Sequence, residues 1–538
     1  MNLFLKKGLV FALFFLLCAC SLASDYEARR KMAQAVRNED FDTAVQIASS
    51  DEFFSGDASR MVKYTNLGTA HYLKGDYYQA LLNFDKAIAL GKEQYTKSVS
   101  RAIAGFVGGD AMTDYPTPLY ELSLLRFYTS LTHLRLSETG VYEAYTADDE
   151  NAPDGKRVFE EKTLDERGLS NLIRSWHKRA VAEKKLDESE KRRHFNAARA
   201  NILDWDSLLS SYSAELAGKD TFKQDMLAKT WGAYIHDRYG SSGDRQIAKL
   251  LYRDVDKVLL RHYNAYPVYN ARAEKYADAY KKLPDMPETQ VKAEYVSATK
   301  RAKELSAFAK EAENALFAPS KSRPNVQVLM KTGLVSERKE EVVSFTVPWE
   351  ILLLGHWDDK GFKEFIKLAL AGEKIEFKYL YLDKPQTPDG YEIVFEKKSG
   401  KAKKIKKNAV LVEPVSQIVY HEYMTHRAAG IAKKGAWAGA KYAAALWAAY
   451  ALWDDDDAFS QLAAIVAFKV SAASIRASDS VDLRAWSLLP DNIWQQSFSL
   501  PSGSYIMTIL RNNAPVYTRE VDIKGENVVF LDIDLVKE

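Results

Sequence analysis

The sequence predicts an α+β protein of more than one domain. A helical-repeat region comes first, followed by a mixed region with an antiparallel β-sandwich and an inserted alanine-rich helical hairpin. Apolar residues recur with the helical period from Tyr26 to about Ala318, and after Pro319 they alternate with the two-residue period of strands. At 538 residues, 47% of them hydrophobic and 28% charged, the chain holds enough apolar material for more than one core.

Residues 1–19 are expected to be an export signal. Two lysines at 6–7 precede an apolar run at 8–17, which is too short to span a bilayer as a helix. The tetrapeptide Leu-Cys-Ala-Cys at 17–20 resembles the bacterial lipobox. The resemblance implies cleavage before Cys20 and attachment of lipid, including palmitate, to that cysteine. The alternatives are an ordinary cleaved signal and an uncleaved anchor.

Charge and cysteine content narrow the class of protein. The only two cysteines lie at 18 and 20, so a chain processed at Cys20 would contain no disulfide. Removing the two lysines of the signal leaves 73 basic against 73 acidic residues, whereas a nucleic-acid binder is expected to be basic. Ser21 is not the aspartate that retains many lipoproteins in the inner membrane. We therefore expect a lipid-anchored protein on the periplasmic face of the outer membrane, with no nucleic-acid partner.

The first helical motif is YTNLGTAHYLKGDYYQALLNFDKAIAL at 64–90. Small residues at 68 and 80 let two helices approach each other, and the glycine between the helices permits a tight turn. The pattern resembles the tetratricopeptide repeat (TPR), which implies a helical docking surface for a protein or peptide. The residues that carry the resemblance are Tyr64, Leu67, Gly68, Gly75, Ala80, Phe84 and Ala87.

A single repeat cannot bury its own faces, so neighbouring repeats are expected. Residues 38–48 repeat the turn and second helix, and a degraded copy lies at 231–252. We therefore predict a TPR-like solenoid over residues 20–318, with an exposed loop at 149–165. The helical surface is expected to receive another envelope protein or a peptide.

The region 319–538 is predicted to be a mixed α/β domain. Strand patterns occupy 325–415, with a helix at 361–371, and four short strands separated by turns lie within 484–538. The turn-rich spacing of the last four predicts a small antiparallel sandwich. The segment LPSGSYIMTIL is similar to carbohydrate-binding and PEGA-type β modules.

An alanine-rich helical hairpin is predicted at 416–477. The Ala- and Trp-rich stretch at 435–453 could lie in a membrane, since one lysine alone interrupts it. The alternatives are a hairpin that packs within its own domain or faces a partner, because alanine contributes little to membrane insertion and allows close helix packing. Four aspartates at 454–457 connect the helices. They are expected to cap the second helix, since the spacing of an EF-hand calcium loop is absent.

The stretch YHEYMTHR at 420–427 superficially resembles the zinc-peptidase signature. That signature places histidines at i and i+4, on one face of a helix, whereas His421 and His426 are five residues apart. Glu422 and His426 do have the i, i+4 spacing of an ordinary surface pair. No catalytic residue, metal ligand or cofactor is therefore assigned.

Seven lysines surround a predicted turn at 397–407. They offer a contact for anionic lipid headgroups or for peptidoglycan carboxylates. The alternative is an ordinary solvated turn.

The segment 482–505 carries a further resemblance. Its D-x-R-x-W-x-x-L-P…L-P-x-G pattern is similar to the signature of an uncharacterised family of TPR-containing bacterial lipoproteins. Members have no established reaction, so the resemblance implies architecture and location only. Within the signature, the arginine is expected to pair with the aspartate or with a strand carbonyl, the tryptophan to fill the sandwich, and the first proline to set the strand entry. The matching residues are Asp482, Arg484, Trp486, Pro490, Pro501 and Gly503.

Together these patterns predict a membrane-anchored periplasmic lipoprotein that acts as a protein-interaction scaffold in the cell envelope. A first alternative is a peptidoglycan- or glycan-binding module, with Trp494, Tyr505 or Tyr517 as the stacking platform. A second is a zinc-dependent envelope hydrolase, whose site would be assembled from His421, Glu422 and His426, with His356 as a further candidate.

Overall fold

The computed structural model shows a mixed α+β protein with twelve helices and four sheets among the residues that it describes. The described ranges are 26–50, 53–54, 56–98, 115, 117–148, 156–159, 179–215, 222–269, 288–319, 322–346, 360–398, 404–525 and 527–537.

The N-terminal region begins with five helices. From the second onward, each of them packs against the helix that follows it in the chain. The tight link between the third and fourth follows from two residues. Gly75 adopts a left-handed conformation (φ +89°) that ends one helix, and Asp76 accepts a hydrogen bond from the backbone N–H of Gln79 to begin the next. The helices are α1 (26–37), α2 (Phe41–Ser49), α3 (Arg60–Lys74), α4 (Tyr77–Ser98) and α5 (Leu119–Thr139).

A three-stranded antiparallel sheet then interrupts the helices, in the order β2-β1-β3. The prediction of an exposed loop at 149–165 is therefore wrong for residues 156–159, which form β2. The rest of that range lies outside the described residues. The strands are β1 (Val141–Asp148), β2 (Lys156–Phe159) and β3 (Arg179–Lys185). The helices that follow are α6 (Glu188–Glu215), α7 (Met226–Tyr239), α8 (Ser242–Arg261) and α9 (Glu288–Ala315).

The region after Pro319 contains two four-stranded sheets and one two-stranded sheet. The first has the order β13-β4-β10-β9 and the second β12-β11-β7-β8, while β5 pairs with β6. The early strands are β4 (Val326–Thr332), β5 (Lys339–Phe345), β6 (Ile375–Tyr381), β7 (Tyr391–Lys397), β8 (Ile405–Asn408) and β9 (Val410–Glu413). The late strands are β10 (Asn492–Phe498), β11 (Gly503–Arg511), β12 (Ala514–Ile523) and β13 (Val529–Leu535).

The four late strands form where their patterns predict them, but they do not make a separate unit. Strands β10 and β13 both pair with β4, β13 in parallel, whereas β11 pairs with β7. The expectation that 484–538 forms a sandwich by itself therefore differs from the structure. Aromatic contacts join the two sheets, with the rings of Phe395 and Phe498 4.9 Å apart and those of Tyr391 and Trp494 5.3 Å apart.

The helical hairpin consists of two long helices, with a third helix packed against them. Asp457 caps the second, because its carboxylate accepts hydrogen bonds from the backbone N–H groups of Phe459 and Ser460. These helices share a small core of their own, to which Phe365, Tyr442 and Phe468 contribute. They are α10 (Lys360–Ala369), α11 (Val415–Tyr450) and α12 (Ala458–Ser478).

One large apolar core runs through the rest of the described chain. It joins residues from Met32 in α1 to Val536 after β13, and so combines the helical region with both four-stranded sheets. The ring of Trp231 on α7, for example, lies 5.4 Å from that of Phe530 on β13. Helices and sheets therefore stabilise one another across the predicted boundary near residue 318.

Candidate interaction site

Two helices of the N-terminal region make a close contact between Gly68 on α3 and Phe84 on α4. A Cβ atom placed on Gly68 would lie 2.6 Å from Cε1 of Phe84, closer than real side chains approach. Phe84, Ala80 and Ala87 are fully buried. Tyr64 and Leu67 are half-buried against the same core. Only glycine at position 68 allows the ring of Phe84 to lie directly on the backbone of α3.

The same region receives a segment from the other half of the chain, defined here as the docked segment, residues 482–490. Its central residue is Trp486, which is 1% exposed. The indole N–H donates to the hydroxyl of Thr69 at 2.9 Å, and the indole ring lies 6.3 Å from the ring of Phe84 and 5.6 Å from that of Tyr128. A groove lined by α3, α4 and α5 therefore holds an aromatic side chain of the protein itself.

Asn66 on α3 binds the backbone of the docked segment. Its amide oxygen accepts hydrogen bonds from the backbone N–H groups of Ser487 at 3.0 Å and Leu488 at 3.3 Å. Its amide nitrogen donates to the carbonyl oxygens of Ala485 at 3.1 Å and Val62 at 2.8 Å. One fully buried asparagine thus satisfies three polar groups of a segment without regular structure.

Arg484 fixes the start of the docked segment. Its guanidinium forms a two-point contact with Asp482, Nη2 to Oδ2 at 2.7 Å and Nε to Oδ1 at 2.9 Å, so the predicted pairing of these residues is confirmed. The same group donates to the carbonyl oxygen of Ala58 at 3.0 Å, just before α3. A charge that is 3% exposed is therefore neutralised within the segment and also bound to the helical region.

Arg29 of α1 contacts the docked segment from the other side. Its side chain donates to the carbonyl oxygens of Leu483 and Arg338, the latter at 3.1 Å. Burial lowers the pKa of Arg29 to about 10, and the nearby carboxylate of Glu337 acts in the opposite direction. The segment is consequently bound from α1 and from α3.

Two conclusions of the sequence analysis change as a result. The prediction that Trp486 fills the sandwich is wrong, because its indole lies among the helices. The groove that the TPR resemblance offers to a partner is covered by the protein's own chain along the docked segment. The other signature residues keep local roles: Pro490 lies two residues before β10, the carbonyl oxygen of Pro501 accepts a hydrogen bond from Tyr505 at 2.8 Å, and Gly503 begins β11.

A buried ion cluster that the sequence analysis missed lies beside Trp486. Lys331 on β4 is 2% exposed and contacts Asp532 at 2.7 Å and Asp534 at 3.1 Å on β13, while its ammonium lies 4.6 Å from the ring of Tyr72 on α3. Burial lowers the pKa of Lys331, but the two carboxylates outweigh that effect and raise it. The sequence signal for this ion cluster is the presence of Lys331, a charged residue, in the largely apolar strand β4.

The histidines of the YHEYMTHR stretch point to different neighbours. The stretch is α-helical throughout, and Nε2 of His426 lies 3.0 Å from Oε1 of Glu422, the predicted i, i+4 pair. The prediction that this pair lies at the surface is wrong for Glu422, which is buried. His421 instead packs edge-on against Tyr266, with ring centroids 5.5 Å apart, and burial lowers its pKa. No group of three or more metal-ligating side chains occurs within the described ranges.

Two other surfaces that were predicted to contact a ligand are paired within the molecule or buried. Around the lysine-rich turn, of which 399–403 lie outside the described residues, Lys404, Lys406 and Lys407 contact Glu396, Glu392 and Glu311 at 2.6 to 3.1 Å. The lysines therefore face carboxylates of the same molecule. Of the residues expected to stack on glycan, Trp494 and Tyr505 are each 2% exposed and cannot present their rings to a ligand.

The hairpin presents apolar side chains to solvent. Helix α12 is the one helix in the described part of the chain that is long and apolar enough to cross a membrane, and 17% of its apolar window is buried. The proposed lipid-bearing residue, Cys20, lies outside the described residues.

Comparison of the chain with protein-family models, curated proteins and solved structures finds no significant match.

Proposed function

We propose that the protein is a lipoprotein of the outer membrane, anchored through Cys20 on the periplasmic side, that acts as a protein-interaction scaffold in the cell envelope. The observation that carries this proposal is the docked segment. The helices α3 to α5 hold an irregular stretch of polypeptide through a buried tryptophan and through hydrogen bonds to its backbone. The helical region is therefore suited to binding polypeptide.

The binding mode supports a scaffold because Asn66 contacts backbone groups, which every polypeptide offers. A second region that could bind a partner lies on the outer surface of the helices, where Leu250 on α8 and Val296 on α9 are 63% and 60% exposed. Since the docked segment covers the groove, we assign partner docking to this outer surface. The proposed partner is another envelope protein or a peptide.

The anchor would hold this scaffold close to the membrane. Only five residues lie between Cys20 and Tyr26, where the described structure begins. Six residue steps reach at most about 20 Å, even when fully extended. A partner that docks on the helical region would therefore be bound near the inner surface of the outer membrane.

Two experiments test the two parts of the proposal. A clickable palmitate analogue should label the protein in growing cells, and Cys20→Ser should abolish both the label and sedimentation with outer membranes. An unchanged label in Cys20→Ser would contradict the anchor.

For the scaffold, a photocrosslinking amino acid is placed at position 250 or 296 in intact cells, and crosslinked products are identified by mass spectrometry. One defined envelope protein should be crosslinked from these sites, and none from position 84, which is buried. Recovery of the protein alone, or with only murein fragments or lipid, would contradict protein docking and favour the glycan or lipid alternative.

A further inference from the structure

The hairpin of α11 and α12 has an apolar surface that nothing in the described structure covers. We define the hairpin outer face as the exposed side chains of Phe459, Leu462, Val466 and Val470 on α12, together with that of Trp437 on α11. The four on α12 are 78%, 60%, 50% and 63% exposed. A monomeric soluble protein rarely leaves a continuous apolar surface of this kind open to water.

The exposed residues of α12 form a single stripe. Successive members are three, four and four residues apart, and Ala473 and Ala477 continue the stripe at the same spacing. The opposite side of α12 is already in use, because Ala464, Phe468 and Ala472 are fully buried against α10 and α11. The helix therefore has two apolar sides, of which its own domain covers one.

We infer that the hairpin outer face binds a second copy of this protein, with the two α12 helices antiparallel. Steps of three and four residues are typical of a seam between two helices, where side chains of one interlock with those of the other. Ala440, Ala443 and Ala444 on α11 are also exposed, and small side chains allow another helix to approach closely. Two hairpins joined in this way form a four-helix arrangement.

Charge favours the antiparallel orientation. Exposed aspartates at 454–457 form the tip of the hairpin, whereas Lys433, Lys434 and Arg476 lie at its base. An antiparallel pair places the acidic tip of one copy beside the basic residues of the other, although Lys434 and Arg476 also contact Asp479 and Glu373 of their own chain. A parallel pair would bring two acidic tips together.

The same tip argues against a bilayer as the occupant. Its carboxylates directly precede Phe459, the most exposed residue of the stripe, so insertion of Phe459 would bring them to the membrane surface. Anionic lipids would repel them, and burying them would cost several kcal/mol.

The area agrees with a dimer of moderate affinity. A helix of 21 residues such as α12 is about 30 Å long, and two adjacent helices are about 20 Å wide. The face then covers on the order of 600 Å² per copy, or about 1,200 Å² in total, at the lower end of the range for specific protein interfaces.

Disulfide crosslinking tests the orientation directly. The chain carrying Cys18→Ser and Cys20→Ser contains no cysteine, so added thiols report alone. In the antiparallel seam, Phe459 of one copy lies opposite Ala477 of the other. A mixture of Phe459→Cys and Ala477→Cys chains of different tag length should form the mixed dimer, and each chain alone should not. A crosslink of Phe459→Cys to itself, or no crosslink at all, would overturn the inference.

Light scattering tests the interface itself. The dimer of the same cysteine-free chain should dissociate when Leu462→Glu and Val466→Glu are combined, with association weakened at least about tenfold. Leu250→Glu, at an equally exposed site on α8, should remain dimeric, and circular dichroism should show unchanged helix in both variants. A monomer without these substitutions, together with vesicle binding that the double variant loses, would assign the face to a membrane and reject the dimer.

Discussion

The indole N–H of Trp486 and the hydroxyl of Thr69 form a 2.9 Å hydrogen bond across 417 residues of sequence. This bond lies among the rings of Phe84 and Tyr128. It joins the docked segment to α3, and so couples the folding of the C-terminal region to that of the helices. The following predictions test how strongly this connection and its neighbours contribute to stability.

Removing the indole should destabilise the whole molecule. Trp486→Ala is expected to lower the free energy of unfolding by about 3–5 kcal/mol, because it leaves a large cavity and removes the hydrogen bond to Thr69 between α3 and the docked segment. Urea denaturation followed by circular dichroism measures the change. Trp437→Ala, at a site that is 61% exposed, should change stability by less than about 0.5 kcal/mol. Equal effects of the two substitutions would refute the docking of Trp486.

Adding one methyl group at Gly68 should strain the contact between α3 and α4. Gly68→Ala is expected to cost about 1–3 kcal/mol, since its Cβ would meet the ring of Phe84. A double-mutant cycle with Phe84→Leu should recover part of this loss. Gly430→Ala in α11 is the control: no neighbour lies within 4 Å of its Cβ position, so the change should stabilise the helix by up to about 1 kcal/mol. Additive effects at 68 and 84 would contradict a direct contact.

The hydrogen bonds of Asn66 should be visible in amide exchange. Asn66→Ala removes the acceptor for the N–H groups of Ser487 and Leu488, so peptides covering these residues should lose protection from hydrogen exchange before the rest of the chain does. The unfolding free energy should fall by about 1–3 kcal/mol. Asn83→Ala, which removes a bond within a single helix, should leave exchange at 487–488 unchanged. Unchanged protection in Asn66→Ala would show that other groups hold the segment.

The buried carboxyl of Glu413 should make stability depend on pH. Burial raises its pKa well above the ordinary value, and the charge of Asp225 adds to the effect. The folded chain therefore keeps a proton that the unfolded chain has released, so this contribution to stability is complete below the ordinary pKa of about 4.5 and is lost as the pH rises.

Glu413→Gln removes that loss while keeping the size of the side chain. Relative to the unsubstituted protein, the variant should gain unfolding free energy from about pH 5 to about pH 8, by at most about 1.4 kcal/mol per pH unit. Urea denaturation at several pH values measures the difference. Glu396→Gln, at the surface, is the control and should show no such trend. A constant difference across this range would rule out a raised pKa at Glu413.

Local patterns in the sequence predict local structure well in this protein. The helical period and the turn at Gly75 predict the pair α3 and α4, and the adjacent asparagines 512 and 513, both with positive φ, form the two-residue turn between β11 and β12. Such features depend on residues that are close along the chain. The short strands β8 and β9 are harder to recognise, since one of them lies among lysines and neither shows four residues of clear alternation.

Contacts between distant residues could not be predicted in the same way. The alternation in β4 predicts a strand with one buried face, whereas all seven residues are buried in the structure. The pattern also does not indicate which strands lie beside β4. Trp486 is an example of the same problem, because an apolar aromatic residue signals burial without identifying the partner. The signature relates Trp486 only to nearby residues of the docked segment. The residues that bind this segment, Asn66 and Thr69, occur more than 400 positions earlier.

The position of β13 has a consequence for the order in which the chain can mature. This strand covers one edge of β4 and supplies Phe530 and the carboxylates that neutralise Lys331. Synthesis delivers β13 long after β4, so a nascent polypeptide carries an open strand edge and an uncompensated ammonium on β4 until β13 has emerged. A polypeptide that stopped before β13 would be a target for chaperones and proteases.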